Sequence, residues 1–367
     1  MVSPNTLAVL CAILLWLPIA LYFTIFHHPP AISATVSGKW TSFSPPPPLE
    51  DDPDDVALFN RASRAEPYPT RPGKKIAFLF MTTTPLHLAP LWELFFTQSG
   101  AQGKYNIYIH ADPRFKYDNP AFTGVFAGRV IPSSKPTSRN SPTLIAAARR
   151  LLAHALLDDS ANDVFTLLSS TCIPLHSFSF TYRMLESSTR SFIEALKNET
   201  TAKERWVVYG NTTMLPEVRL DQLRIGSQFW SLTRRHALVV VEDVRLWKKF
   251  RLPCMAQNAC FPEESYFPTL LTMVDPAGVV PATLTHVNWQ AVLEDQDGHP
   301  YTYSGHEVGP KLIQWLREAS PRYGDLGING SDLLVKGRRD PFLFARKFAP
   351  GCSEPLVSLA NNVLFMD

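Results

Sequence analysis

Between Lys75 and Leu168, short apolar runs alternate with stretches of helical periodicity, and this alternation restricts the fold more than any other feature of the chain. Lys75–Met81 (KIAFLFM) is apolar at every position after the first, as in a strand buried on both faces, and Thr-Thr-Thr-Pro then breaks it into a loop. Leu86–Gln98 reads as a helix. Tyr105–His110 is a second strand and Val164–Leu168 a third. Between Thr143 and Leu157 the apolar positions Leu144, Ala147, Ala148, Leu151, Leu152, Ala155 and Leu156 recur at i, i+3, i+4 and i+7, which gives a helix with one buried face. Strands and helices in alternation predict an α/β domain whose mostly parallel sheet is covered by helices on both sides. Asp112 follows the second strand. In open α/β sheets ligands bind beyond the C-terminal ends of the strands, so its carboxylate either reaches a ligand or caps the next turn.

A different physics governs the N-terminal part. Leu7–Phe26 is a 20-residue run without a charge, the length an α-helix needs to cross about 30 Å of hydrocarbon. It predicts a membrane anchor. Pro18 is compatible with this, and a cleaved signal peptide ending near Ala31-Ile-Ser-Ala34 is the competing reading. No Lys or Arg flanks the run closely enough to orient it. From His27 to Gly73 there are ten prolines, among them Pro45–Pro48, followed by the acidic run from Glu50 to Asp55. That composition predicts an extended, solvated stem. The expected organisation is a cytosolic tip (1–6), an anchor (7–26), a stem (27–73) and a lumenal domain (74–367).

Composition excludes several function classes. The 35 Lys and Arg balance 33 Asp and Glu to a formal charge of +2, so the chain lacks the field that nucleic-acid binding requires. There is no G-x-G-x-x-G after the first strand, no G-x-x-x-x-G-K-[ST], no G-x-S-x-G and no H-E-x-x-H, which disfavours dinucleotide, P-loop and the corresponding hydrolase chemistries. Of five cysteines, Cys11 lies in the apolar run, while Cys172, Cys254, Cys260 and Cys352 allow two bridges in three connectivities, with Cys254–Cys260 the favoured pair. Buried free thiols are the alternative. Sequons stand at Asn198, Asn211 and Asn329. Two Asp-x-Asp triplets, Asp52-Pro53-Asp54 and Asp295-Gln296-Asp297, have the spacing of metal-binding carboxylates, but neither follows a strand and both read as surface turns.

KIAFLFMTTTPLHLAPLWELFF, YNIYIHADP, ARRLLAHALLDD, FTLLSSTCIPL, GSQFWSLTRRHA, CFPEESYFPTLL, VNWQ and LFARKFAP occur in this order from residue 75 to residue 350. Together they resemble the core-2/I-branching β-1,6-N-acetylglucosaminyltransferase family in its plant branch. The resemblance implies a type II Golgi membrane protein with a GT-A-like nucleotide-sugar-binding fold, transferring a sugar from a UDP-sugar with inversion and without a metal or other cofactor.

Inversion by one in-line displacement needs a carboxylate to take the proton of the attacking hydroxyl. The family's base is the Glu of a Pro-Asp-Glu triplet. The matching Pro262-Glu263-Glu264 carries that role onto Glu264 and differs from the pattern at Glu263, and at Ser265, where plant relatives often have His. Read without the resemblance, this triplet is an acidic helix start. The charge building on departing UDP must also be met, and a fixed cation can do this in place of a metal. Lys336, Arg338, Arg339, Arg346 and Lys347 fall within twelve residues, and Phe344–Phe348 matches the family segment whose Lys contacts the diphosphate. This implies Lys347, assisted by Arg346, as donor-binding residues. A second diphosphate-binding Arg has Arg322, Arg338 and Arg339 as candidates. Asp112 is placed with the donor, and Glu263, Gln228, Trp230 and Trp289 with the acceptor, the two Trp either as sugar platforms or as core.

The expected reaction is transfer of N-acetylglucosamine from UDP-N-acetylglucosamine to a glycan acceptor. Two other readings stand beside it: glucuronosyl transfer to arabinogalactan-type glycans, and a catalytically silent sugar-binding or scaffold protein of the same fold.

Overall fold

The computed structural model describes residues 49–70, 73–118, 122–256, 259–289, 300–324 and 337–367, all within a unit spanning 45–367. The apolar run 7–26, the stretch up to Pro48, the triplet beginning at Asp295, Asn329 and Lys336 lie outside the described residues. Among the described residues no helix is long and apolar enough to cross a membrane.

The strands are β1 (Lys75–Thr82), β2 (Tyr105–Ala111), β3 (Asn162–Ser169), β4 (Ile173–Pro174), β5 (Ser191–Phe192), β6 (Ser231–Thr233), β7 (Val279–Val280), β8 (Thr285–Val287) and β9 (Phe344–Arg346). The main sheet has the order β2-β1-β3-β6-β5-β7, and β4-β9-β8 form a second sheet. β1 pairs in parallel with β2 (Ile76 opposite Tyr105) and with β3 (Ile76 opposite Val164), while β6 is antiparallel to both its neighbours. The α/β expectation with a mostly parallel sheet holds. Ile76, Phe78 and Phe80 of β1 enter one core, and Ala77, Leu79 and Met81 enter the other, which is why this strand reads as a continuous apolar run.

The helices are α1 (Pro53–Ala62), α2 (Ala89–Phe96), α3 (Thr143–Asp158), α4 (Phe178–Glu186), α5 (Ala202–Val207), α6 (Arg234–Glu242), α7 (Trp247–Phe250), α8 (Pro262–Val274), α9 (Pro310–Glu318) and α10 (Ser353–Leu359). α1, α3, α6, α7 and α8 contribute to the core on one side of the main sheet, and α2, α4, α9 and α10 to the core on the other.

The expected extended stem is corrected over residues 53–62, which form α1 against α3. Asp52 caps the helix by accepting hydrogen bonds from Asp54 N (3.0 Å) and Asp55 N (3.4 Å), with Pro53 in the first turn, where its missing N–H costs nothing. The Asp52-Pro53-Asp54 triplet is thus a helix start and not a surface turn. Asp55 is buried and accepts two bonds from Arg150, at 2.7 Å from Nε and 2.6 Å from Nη2, while Lys135 pairs with Asp52. Leu58 and Ala62 bury the apolar side of the helix. Composition suggested solvation, but capping and a bidentate ion pair dock this segment.

Cys254 and Cys260 form a disulfide (S–S 1.98 Å) in the loop between α7 and α8. The expected pairing of Cys172 with Cys352 is corrected: both are buried free thiols. Cys172 Sγ accepts from Ser169 N (3.3 Å), whereas Cys352 Sγ donates to the Tyr303 carbonyl (3.2 Å), so each is engaged by a different neighbour.

Removing the Asp55 carboxylate leaves a buried guanidinium without its charge partner. Asp55→Ala is expected to lose about 3–5 kcal/mol, read by denaturant unfolding, and adding Arg150→Met should recover most of it. A loss below about 1 kcal/mol, the size of a surface pair, would contradict this docking.

Candidate active site

A cleft of about 760 Å³ opens where the ends of β5, β8 and β9 meet the first turn of α8. Glu264 projects into it from that turn, where the positive end of the helix dipole favours a carboxylate. Arg205 Nη1, from α5, donates to Glu264 Oε2 at 2.7 Å, and its guanidinium lies 4.6 Å above the Phe261 ring. The side chain of Glu264 is 28% exposed, enough for one carboxylate edge to face the cleft. Its backbone is fixed as well, because Gly226 N donates to Glu264 O at 2.8 Å. A Cβ on Gly226 would come 1.8 Å from the Glu194 carbonyl oxygen, so only glycine permits this approach.

Across the cleft Arg346, on β9, stacks 4.3 Å above the Phe229 ring, and among the described residues its Nε has no hydrogen-bond partner. Lys347 follows it, and burial, with Arg346 and Arg139 nearby, pushes its ammonium down to about 8. The cleft wall also carries Glu194, pushed up to about 7 by burial, with Glu199 and Glu264 adding to the rise against Arg322. Arg322 pairs with Glu199. Trp289 and Trp315 are 55% and 45% exposed at the cleft. His286 packs edge-on against Trp315 (5.2 Å) and Phe342 (5.0 Å), and burial pushes its imidazole down to about 4, so it is neutral at pH 7. Carboxylates, guanidinium groups and open indole faces in one cleft suit polyhydroxylated ligands, whose hydroxyls bond to the charged groups and whose ring faces stack.

A family model described as Branch: Core-2/I-Branching enzyme matches residues 76–317. Glycosyltransferase BC10 of Oryza sativa subsp. japonica is 29% identical over 326 residues, covering 81% of this chain and 80% of that protein. The chain belongs to the core-2/I-branching enzyme family. It is an enzyme of glycosyl transfer.

The cleft of this glycosyltransferase gathers some of the expected site residues and not others. Glu264, Gln228, Trp289 and Arg346 line it, with Lys347 next in the chain. Of the candidates for a second Arg, Arg322 lines the cleft, whereas Arg338 is spent on Asp340 and Arg339 is exposed outside it. Trp230 is corrected from sugar platform to core: it is 2% exposed and packs at 5.4 Å on Phe267. Glu263 is corrected from acceptor contact to interior group, since the helix turn that aims Glu264 at the cleft aims its neighbour inward. Asp112 is buried and its oxygens are occupied by Thr137 N (2.7 Å), Thr137 Oγ1 (2.9 Å) and Arg114, which hold its carboxyl well below the usual range against burial. It caps its turn. Asn198 and Asn211 are exposed.

Sequence reasoning missed Arg205, Glu194, Glu199, His286 and Trp315. Glu194 alone left a trace, as a single carboxylate inside the apolar run 192–196.

Gly226→Ala is expected to displace the Glu194 carbonyl and with it the Glu264 backbone. Transfer should fall at least about tenfold, as a small misplacement of reacting groups costs, with overall helicity retained by circular dichroism. Unchanged activity would show that the contact is dispensable.

Burial pushes the Glu263 carboxyl up to about 8, and among the described residues Oε2 has no hydrogen-bond partner. The unfolded chain releases this proton near 4.5, whereas the folded chain holds it to about 8. Between those values the unfolded state binds fewer protons, so stability falls as pH rises, by up to about 1.4 kcal/mol per unit, and levels off above. Urea unfolding from pH 5 to pH 8 should show a shallower decline in Glu263→Gln, and identical slopes would refute a protonated Glu263.

Proposed function

We propose that the protein is a Golgi type II membrane enzyme that moves a sugar from a UDP-sugar to a glycan acceptor by a single inverting displacement, without a metal. The donor is UDP-N-acetylglucosamine and the linkage a β-1,6 branch, following the family. Residues 7–26 anchor the chain, and the nucleotide-sugar fold of the family describes the domain behind them. Glu264 accepts the proton of the acceptor hydroxyl as its oxygen attacks the anomeric carbon, while the bond from that carbon to the diphosphate oxygen breaks and UDP leaves. Arg346 and Lys347 meet the charge that builds on the leaving diphosphate. Gln228, Trp289 and Trp315 stand where an acceptor sugar would lie.

The observation that carries this reading is that Glu264 and Arg346, an expected base and an expected cation, line the same cleft although they are far apart in sequence. The departures from the family triplet do not weaken it. Glu263 is 5% and Ser265 3% exposed, so both point into the protein and leave the cleft side of the triplet unchanged. That argues against the silent-scaffold reading. Glucuronosyl transfer remains the second donor choice, and a panel of UDP-sugars with one acceptor set decides between them.

Glu264→Gln should lower transfer by about 10²–10⁴-fold, the worth of a positioned base, while UDP affinity by calorimetry stays close to that of the wild type. Loss of UDP binding in that variant would remove Glu264 from the role of base. EDTA should change neither quantity. UDP affinity should decline as pH rises through about 8, where Lys347 in the free enzyme gives up its charge, and Lys347→Ala should lose this decline.

A further inference from the structure

A cavity of about 750 Å³ is bounded by α1, α3, the end of α6 and α7, and it shares no lining residue with the cleft. Residues 49–63 supply nearly half of its wall, so the segment that docks through Asp55 and Arg150 also builds this space. Two buried guanidinium groups line it. Arg149 gives its hydrogen bonds to the carbonyls of Val240 (3.1 Å), Val241 (3.1 Å) and Asp243 (2.7 Å), and lies close to the rings of Phe59 (4.4 Å) and Trp247 (5.2 Å). Arg150 spends Nε and Nη2 on Asp55. Among the described residues Nη1 of each has no hydrogen-bond partner. A buried donor without an acceptor is costly, and a ligand oxygen can supply one.

We infer that this cavity is a second carbohydrate site, which holds a neutral stretch of the glycan acceptor away from its reacting end. The choice of a glycan rests on the proposed transfer to a glycan acceptor. Lys135, Arg149, Arg150 and Lys248 are outnumbered there by six carboxylates, which disfavours phosphates and other polyanions. Two of those carboxylates are already paired, Asp52 with Lys135 and Asp55 with Arg150, so the wall is polar with little net field. Sugar hydroxyls suit such a wall, because each can donate to a carboxylate and accept from a guanidinium or ammonium group. Glu242 and Lys248 are exposed for this purpose. Val56 and Val244, 44% and 57% exposed, offer apolar surface to the C–H faces of a ring. The volume lies within the roughly 300–1,000 Å³ of small-ligand sites.

The test titrates the full-length protein by calorimetry with neutral β-1,3-galactan, β-1,4-xylan and β-1,4-glucan fragments, and with oligogalacturonate and tetralysine as charged probes. Wild type is compared with Val244→Trp, which fills the cavity from an exposed position, with Glu242→Ala, and with Trp289→Ala in the cleft. At least one neutral fragment should bind. Val244→Trp should abolish that binding and Glu242→Ala weaken it about tenfold, the worth of a charged hydrogen bond, both at the wild-type thermal midpoint. Trp289→Ala should retain it. With a long glycan acceptor Val244→Trp should raise KM and leave kcat unchanged, and with a short acceptor it should change neither. Binding lost in Trp289→Ala and kept in Val244→Trp would place the glycan in the cleft and overturn the inference. Tighter binding of oligogalacturonate or tetralysine, or no binding of any neutral fragment, would also overturn it. Cavity binding without turnover on any acceptor would overturn the proposed function and leave the carbohydrate site standing.

Discussion

The cleft depends on a place where two backbones come closer than any side chain allows. Leu196 and Ile225 exchange both backbone hydrogen bonds (2.8 and 3.0 Å), and at the next residue Gly226 rests against the Glu194 carbonyl while donating to Glu264 O. Gly324 approaches the same segment from another direction, since a Cβ there would come 1.9 Å from Ala195 O. The extension of β5 is thereby clamped between two glycines. It delivers Glu194 and Glu199 to the cleft wall and fixes the first turn of α8 that presents Glu264. The rigid part of the site is main chain, and its side chains inherit their positions from it.

Charges in and beside the cleft fall into two arrangements. Arg205 with Glu264, and Arg322 with Glu199, are pairs of opposite sign that can be lent to sugar hydroxyls without leaving a net field. Arg346, Lys347 and Arg139 are instead neighbours of like sign, and part of the fall in the Lys347 ammonium to about 8 comes from the other two. The first arrangement suits neutral, polar groups and the second an anion. A substrate that is uncharged at one end and polyanionic at the other, as a nucleotide sugar is, matches the pair of them.

What the sequence disclosed follows from how far each signal travels along the chain. β1, β2, β3 and α3 were legible because burial on one or two faces writes a periodicity that a few consecutive residues reveal. α1 was misread although its capping signal was present: Asp52, Pro53 and the acidic first turn were absorbed into a proline-rich and acidic composition. Trp230 and Trp289 were indistinguishable as residue types, and only tertiary packing buries one and exposes the other. Glu264 and Lys347 were reached through motif resemblance, because a carboxylate at a helix start carries no mark of the cleft it faces. Arg205 escaped entirely, since its partner is 59 residues away and nothing local announces it.

The adjacent carboxylates of α8 show how one helical turn assigns opposite fates to identical side chains. Successive residues on a helix point about 100° apart, so a turn that aims Glu264 at the cleft must aim Glu263 into the core. There it lies near Tyr209, and burial pushes its carboxyl up to about 8, so it is protonated at pH 7. A shorter Asp at that position, as in the family triplet, has the same direction and less reach. The substitution therefore changes how the interior accommodates a carboxylic acid while leaving the group that faces the substrate alone. This is why a chain that departs from the motif at its middle position keeps the cleft side of that motif intact.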